Sequence, residues 1–163
     1  MPASTLTIEQ VLTVLAETPV QIAARCSGLT PSQLRTPQVV GEWSANDVLA
    51  HLRSCADVWG DCIARILAEA TPTLRAIDPR SWIKRTNYPD LEFQPSLDAF
   101  STQRVDLLVV LERLTPSDWS RTATVTGAGS PLVRTVSSYA RRLARHERSH
   151  VKQFSAIVKS MHT

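Results

Sequence analysis

Four stretches of this chain repeat apolar residues at helical spacing, and almost nothing in it alternates as a strand does, which confines it to an all-α fold. The first stretch runs from about Thr7 to Cys26, with Ile8, Val11, Leu12, Leu15, Val20, Ile22 and Ala23 as its apolar positions and Pro19 as a predicted kink or break. The second opens at Ser44-Ala45-Asn46-Asp47, where a hydroxyl at the N-cap and a carboxylate three residues on form a variant of the capping box. It continues to about Ala70, where Thr71-Pro72 stops it. The third begins near Ser96, after Pro95, and carries Phe100, Val105, Leu108, Val109 and Leu111 on to Leu114. The fourth runs from near Thr135 to about Met161. A chain of 163 residues is normally one domain with a substantial core, so the expectation is a single four-helix bundle over residues 1–163.

The segment between the second and third helices holds Pro72, Pro79, Pro89 and Pro95 together with Trp82 and Tyr88. It is too long for a tight turn between antiparallel neighbours, and a long crossover along the bundle is predicted. Leu29-Thr30-Pro31-Ser32 after the first helix reappears as Leu114-Thr115-Pro116-Ser117 after the third, which suggests two helix–loop–helix halves. Arg121 to Val125 alternates weakly and is read as a short extended piece.

Composition excludes several classes. Apolar residues make up 43% and charged residues 20%, as in ordinary soluble globular proteins. Met1 to Gln10 has neither the basic start nor the apolar run of a secretory signal, and no apolar stretch approaches membrane-span length, so a soluble cytoplasmic protein is expected. Cys26, Cys55 and Cys62 are an odd set without repeated spacing, which argues against a disulfide framework. A net charge of +3 is too mild to identify a nucleic-acid binder. Arg141, Arg145, Arg148 and Lys152 recur at helical spacing and read as a solvated helix face. Neither a nucleic-acid nor a membrane partner is expected.

The chemistry lies in the histidines. His146 and His150 are four residues apart, about 40° on a helix, so both imidazoles can reach one metal. Val136, Tyr139, Leu143, Phe154 and Ile157 share their face, which turns both histidines toward the core. Buried neutral imidazoles need polar partners on both nitrogens, and a shared metal supplies one for each. His51 lies on the same face of the second helix as Val48, Cys55, Val58, Cys62 and Ile66, and is the predicted third ligand. His162, at the C-terminus, is a poor candidate. Three histidines leave one or two positions on the metal for water or substrate, as in a catalytic site. Zinc and nickel both accept imidazole.

His146-Glu147-Arg148-Ser149-His150 also matches HExxH, the metalloprotease signature with a glutamate base. The extended protease motif would need a histidine where this chain has Ala156, and no Asp or Glu follows, so peptidase activity is not expected. Glu147 then reads as an exposed helix carboxylate. Cys55, one turn after His51, can approach the metal, although such a cysteine is more often core filler. Gln153 is a candidate to hold a free imidazole nitrogen. Trp82 and Tyr88 either line a substrate mouth or pin the crossover to the bundle.

Gly41-Glu42-Trp43-Ser44 followed by Asp47-Val48-Leu49-Ala50-His51-Leu52, together with the closing His146-Glu147-Arg148-Ser149-His150-Val151-Lys152-Gln153, resembles the DinB-like superfamily in order and spacing. The resemblance implies a four-helix bundle with a metal site at one end, often in a homodimer. It also implies thiol-dependent S-transfer, with bacillithiol, mycothiol or a similar low-molecular-weight thiol, or mycothiol-dependent isomerisation of maleylpyruvate. Two classes of function stay open. One is a metal-dependent enzyme acting on a small-molecule substrate, by thiol transfer or by hydrolysis. The other is a metal-containing binding or stress-response protein with little turnover.

Overall fold

The computed structural model describes residues 5–162 and contains the four expected long helices. They are α1 (Ile8–Cys26), α3 (Ala45–Ala68), α5 (Phe93–Leu111) and α7 (Val136–Ser160). Shorter helices, α2 (Pro31–Arg35), α4 (Pro79–Trp82) and α6 (Pro116–Trp119), lie in the connections. The first four residues of the stretch read for a signal fall outside the described chain.

Capping chemistry sets where these helices start. Thr7, Ser44 and Thr135 each accept the backbone N–H three residues on, and Gln10, Asp47 and Ser138 accept in return from the cap's own N–H. The Leu-Thr-Pro-Ser repeat is the same device used twice. Thr30 and Thr115 cap α2 and α6, and the proline that follows each sits at the first helical position, where a missing N–H costs nothing.

Helix α1 packs against α5 and α7, and α3 packs against the same two, so α1 and α3 lie diagonally across the bundle. Side-chain pairs give the directions. Arg25 with Ser155, and Arg141 with the Leu6 carbonyl, make α1 and α7 parallel. Arg53 with Ser96, and Gln103 with Asp57, make α3 and α5 parallel. Two parallel neighbours require a connection that returns the full length of the bundle, which is the crossover expected over Pro72 to Pro95, here ending before Phe93. Asp57 pins it down: its Oδ2 accepts from Trp82 Nε1 at 3.1 Å and from the Tyr88 hydroxyl at 2.5 Å. Ser54 adds a bond to the Pro79 carbonyl at 2.5 Å.

A small sheet joins the helices at the end where α3 finishes and α7 begins. Strands β1 (Thr73–Arg75), β2 (Thr122–Thr126) and β3 (Leu132–Thr135) lie in that order, β1 parallel and β3 antiparallel to β2. The weak alternation at Arg121 to Val125 becomes β2. The other two strands are too short to show a period of two.

Several expected positions shift. Helix α1 continues unbroken through Pro19. Pro19 cannot donate to the Leu15 carbonyl, and Arg104 Nη1 takes that carbonyl instead at 2.9 Å. Val20 is 68% exposed and Ala23 is exposed, while Thr18 and Pro19 face inward. On α5, Val105 and Val109 point outward and Arg104 is buried. That helix starts at Phe93, with Pro95 tolerated in its first turn because those N–H groups have no intrahelical acceptor.

The apolar core falls into two clusters. One, toward the sheet, contains Leu15, Val58, Trp59, Leu111 and Leu143. The other contains Ile22, Leu52, Phe93, Phe100 and Phe154. Between them, a polar layer crosses the bundle: Arg104 from α5, Glu147 from α7, and the three histidines.

Candidate metal centre

His51 sits in the second turn of α3, and His146 and His150 sit on successive turns of α7, which is antiparallel to α3 and packed against it. Their Nε2 atoms converge. His146 Nε2 lies 3.0 Å from His51 Nε2 and 3.0 Å from His150 Nε2. Two imidazole nitrogens on one tetrahedral zinc, each about 2.05 Å from it, stand about 3.3 Å apart. The observed separations are within a few tenths of that value.

Protonation supports the same conclusion. His150 Nδ1 is 2.7 Å from Gln153 Oε1, an acceptor, so Nδ1 carries the proton and Nε2 presents a lone pair. A proton on His146 Nε2 could serve only one of its two neighbours. It would also leave His146 Nδ1, buried and without a hydrogen-bond partner, as a bare lone pair. A cation accepting all three Nε2 lone pairs satisfies these nitrogens together, with the His146 proton then on Nδ1, which stays without a partner, and the three Nε2 atoms fit a metal. Burial, reinforced by the charge of His150, lowers the pKa of His51 to about 4 and that of His146 to about 3. Both are therefore neutral near pH 7, the form that ligates.

The walls are aromatic. Trp43, half-exposed, lies 5.0 Å from the His51 ring and stacks over His150 at 6.4 Å and 16°. Trp59 meets His146 edge-on at 5.2 Å, and the Arg142 guanidinium lies 4.6 Å from its ring centroid. Cys55 Sγ lies beneath, 3.7 Å from His51 Nε2 and 4.0 Å from His146 Nε2. The ligand atoms of His51, Cys55 and His146 all fall within 4.8 Å of one another. Burial pushes the Cys55 thiol up to about 12. Outside, a depression of about 380 Å³ opens beside His51, lined by Trp43, Asp47, Ala50, Arg80, Ile83 and Pro89. A larger groove of about 540 Å³ between α1 and α7 includes none of the histidines. Ligand chemistry, not volume, locates the site.

Glu147 corrects the sequence reading. It is 1% exposed, not solvated, and takes a bidentate grip from Arg104 at 2.7 and 2.6 Å. The buried stripe of α7 runs through Val136, Ala140, Leu143, Val151 and Phe154, with Glu147 at its centre and the histidines on the flank facing α3. Trp82 and Tyr88 are pins, as one of their two readings had it, and Gln153 does hold an imidazole. Arg145, Arg148 and Lys152 are exposed, whereas Arg141 is half-buried against the Leu6 carbonyl. His162 is exposed beyond α7. Trp59, Arg80, Arg104 and Arg142 were not anticipated. Trp59 carried a signal, falling on the face of His51 and Cys55 two turns after His51; Arg80 carried none.

The DinB superfamily model matches residues 15–154, so the chain belongs to the DinB superfamily. Two bacterial relatives carry the name "putative metal-dependent hydrolase". One, from Geobacillus kaustophilus, is 25% identical over 160 residues, covering 93% of this chain and 84% of the relative. The other, from Bacillus licheniformis, is 26% identical over 119 residues, covering 72% and 67%. Among solved structures, YfiT from Bacillus subtilis superposes with a TM-score of 0.68 at 23% identity, over 96% of this chain and 91% of that one. It is described as "a probable metal-dependent hydrolase with an unusual four-helix bundle topology". The shared fold includes the long helices that bring the histidines together.

Proposed function

We propose that this protein is a metal-dependent enzyme that holds one divalent ion, zinc or nickel, on His51, His146 and His150 and transfers a low-molecular-weight thiol to an electrophilic small molecule. The approach of His51 Nε2 and of His150 Nε2 to His146 Nε2, 3.0 Å in each case, carries the metal assignment. A bound ion of this kind lowers the pKa of a coordinated thiol or water and holds it as a nucleophile.

The side chains around the histidines favour the thiol. Glu147, the base of the HExxH reading, is locked to Arg104. Asp47 and Asp78 are engaged as helix caps on Ser44 and Arg80. Among the described residues at the mouth, these caps leave no carboxylate dedicated to taking a proton from a weak acid. Coordination must bring water from about 15.7 to about 7, whereas a thiol starts near 8.5 and ionises with a smaller shift. Trp43 offers an apolar wall, and Arg80 a cation for an acidic part of the thiol or substrate.

Hydrolysis is the second reading, with water taking the thiol's place at the same histidines, and the names carried by the relatives support it. Metal-loaded protein incubated with thiols and electrophiles, or with esters and amides alone, separates the two by mass spectrometry. An S-conjugate that forms with wild type and not with His146→Ala is the expected result. Hydrolysis without added thiol points to the second reading. Full metal occupancy with no turnover in either series sinks both and leaves a metal-binding protein.

A further inference from the structure

We infer that Cys55 is a fourth protein ligand to the metal, an inference that rests on the three-histidine reading above. Cys55 is 1% exposed and lies one helical turn after His51, on the face of α3 that meets α7. Its Sγ stands 3.7 Å from His51 Nε2 and 4.0 Å from His146 Nε2. On one tetrahedral zinc, with bonds of about 2.3 Å to sulfur and about 2.05 Å to nitrogen, the sulfur and nitrogen atoms stand about 3.6 Å apart. The two observed separations, 3.7 and 4.0 Å, are within a few tenths of an ångström of that value.

The other cysteines show what an unengaged thiol looks like in this chain. Cys26 is packed in the apolar cluster with Ile22 and Leu34, and Cys62 packs against the cluster that contains Tyr139. Neither reaches the histidines. Cys55 is buried beside His51 and His146 and does not line the depression that holds Trp43 and Arg80. Coordination replaces its S–H bond by a sulfur–metal bond and releases the proton to solvent. A buried thiolate makes the donor set softer, which favours zinc over harder ions and tempers the acidity of the site. The mouth side remains the one through which substrate joins the coordination sphere, as zinc allows when it expands to five ligands.

X-ray absorption on zinc-loaded wild type tests this without any variant: one sulfur scatterer at about 2.3 Å is expected beside nitrogens at about 2.0–2.1 Å. In parallel, cobalt-loaded protein should show a thiolate-to-cobalt charge-transfer band in the near ultraviolet. The band should be lost in Cys55→Ala and kept in Cys26→Ala and Cys62→Ala, with metal stoichiometry unchanged in all three. A nitrogen- and oxygen-only shell, or a band that survives Cys55→Ala, overturns the Cys55 assignment and leaves the histidine site standing. Wild type that takes up no metal overturns both.

Discussion

Arg104 and Glu147 form a bidentate ion pair in the centre of the bundle, both under 3% exposed, in the same layer as the histidine cluster. The Arg104 guanidinium also takes the Leu15 carbonyl that Pro19 leaves without a backbone donor, so one side chain ties α1, α5 and α7 together. Removing one partner strands a buried charge. Glu147→Gln and Arg104→Met should each destabilise the fold by about 3–5 kcal/mol. Chemical denaturation measures this. Glu147→Gln protein that still folds should bind metal at wild-type stoichiometry, because Glu147 is not a ligand; loss of metal without loss of stability would contradict that.

Gln153 orients His150 through Nδ1 at 2.7 Å. Gln153→Ala frees the ring and should weaken metal affinity about 10–100-fold with little change in helix content. Competition with a chromogenic chelator reads the affinity. An unchanged value would mean that packing alone holds the ring.

The metal-free protein should lose stability on acidification. His51 and His146 titrate at about 4 and about 3 when folded, against about 6.5 when unfolded, because burial disfavours their charged forms. The unfolded chain therefore binds more protons between these values. This contribution is fully present above about pH 6.5 and is lost as pH falls toward 4 and then 3. Urea midpoints in the presence of a chelator should be flat above pH 6.5 and fall below it. A double replacement of His51 and His146 by phenylalanine should flatten the upper part of that fall. An identical slope in the double variant would assign the effect to carboxylates instead.

Asp57 accepts from Trp82, Tyr88 and Gln103. Asp57→Ala leaves these donors unpaired and should cost about 2 kcal/mol. The first consequence should be faster proteolytic cleavage in the crossover between α3 and α5. A crossover cut no faster than in wild type would show that the apolar contacts of Trp82 suffice.

The four long helices, the capped starts of α1, α3 and α7 and the approach of the three histidines to one another were legible in the sequence, because capping boxes and 3.6-residue periodicity are local signals. The position of Glu147 was not. Counting only large apolar residues centres the face of α7 near His146 and His150, whereas including Ala140, Ala144 and Val151 moves the centre to Glu147. Helix α5 misled for the opposite reason. Its apolar residues surround the axis, so nothing local shows that Arg104 is buried while Val105 is exposed; the partner that decides it, Glu147, lies 43 residues away. The two shortest strands gave no signal because their pairing is entirely non-local.

The central claim is one metal on three imidazoles, and elemental analysis of untagged protein tests it most directly. About one zinc or nickel ion per chain is expected in the wild type, falling to near zero in His51→Ala, His146→Ala and His150→Ala variants that remain helical by circular dichroism. Wild type free of metal after metal-replete expression, or stoichiometry unaffected by all three substitutions, would contradict it.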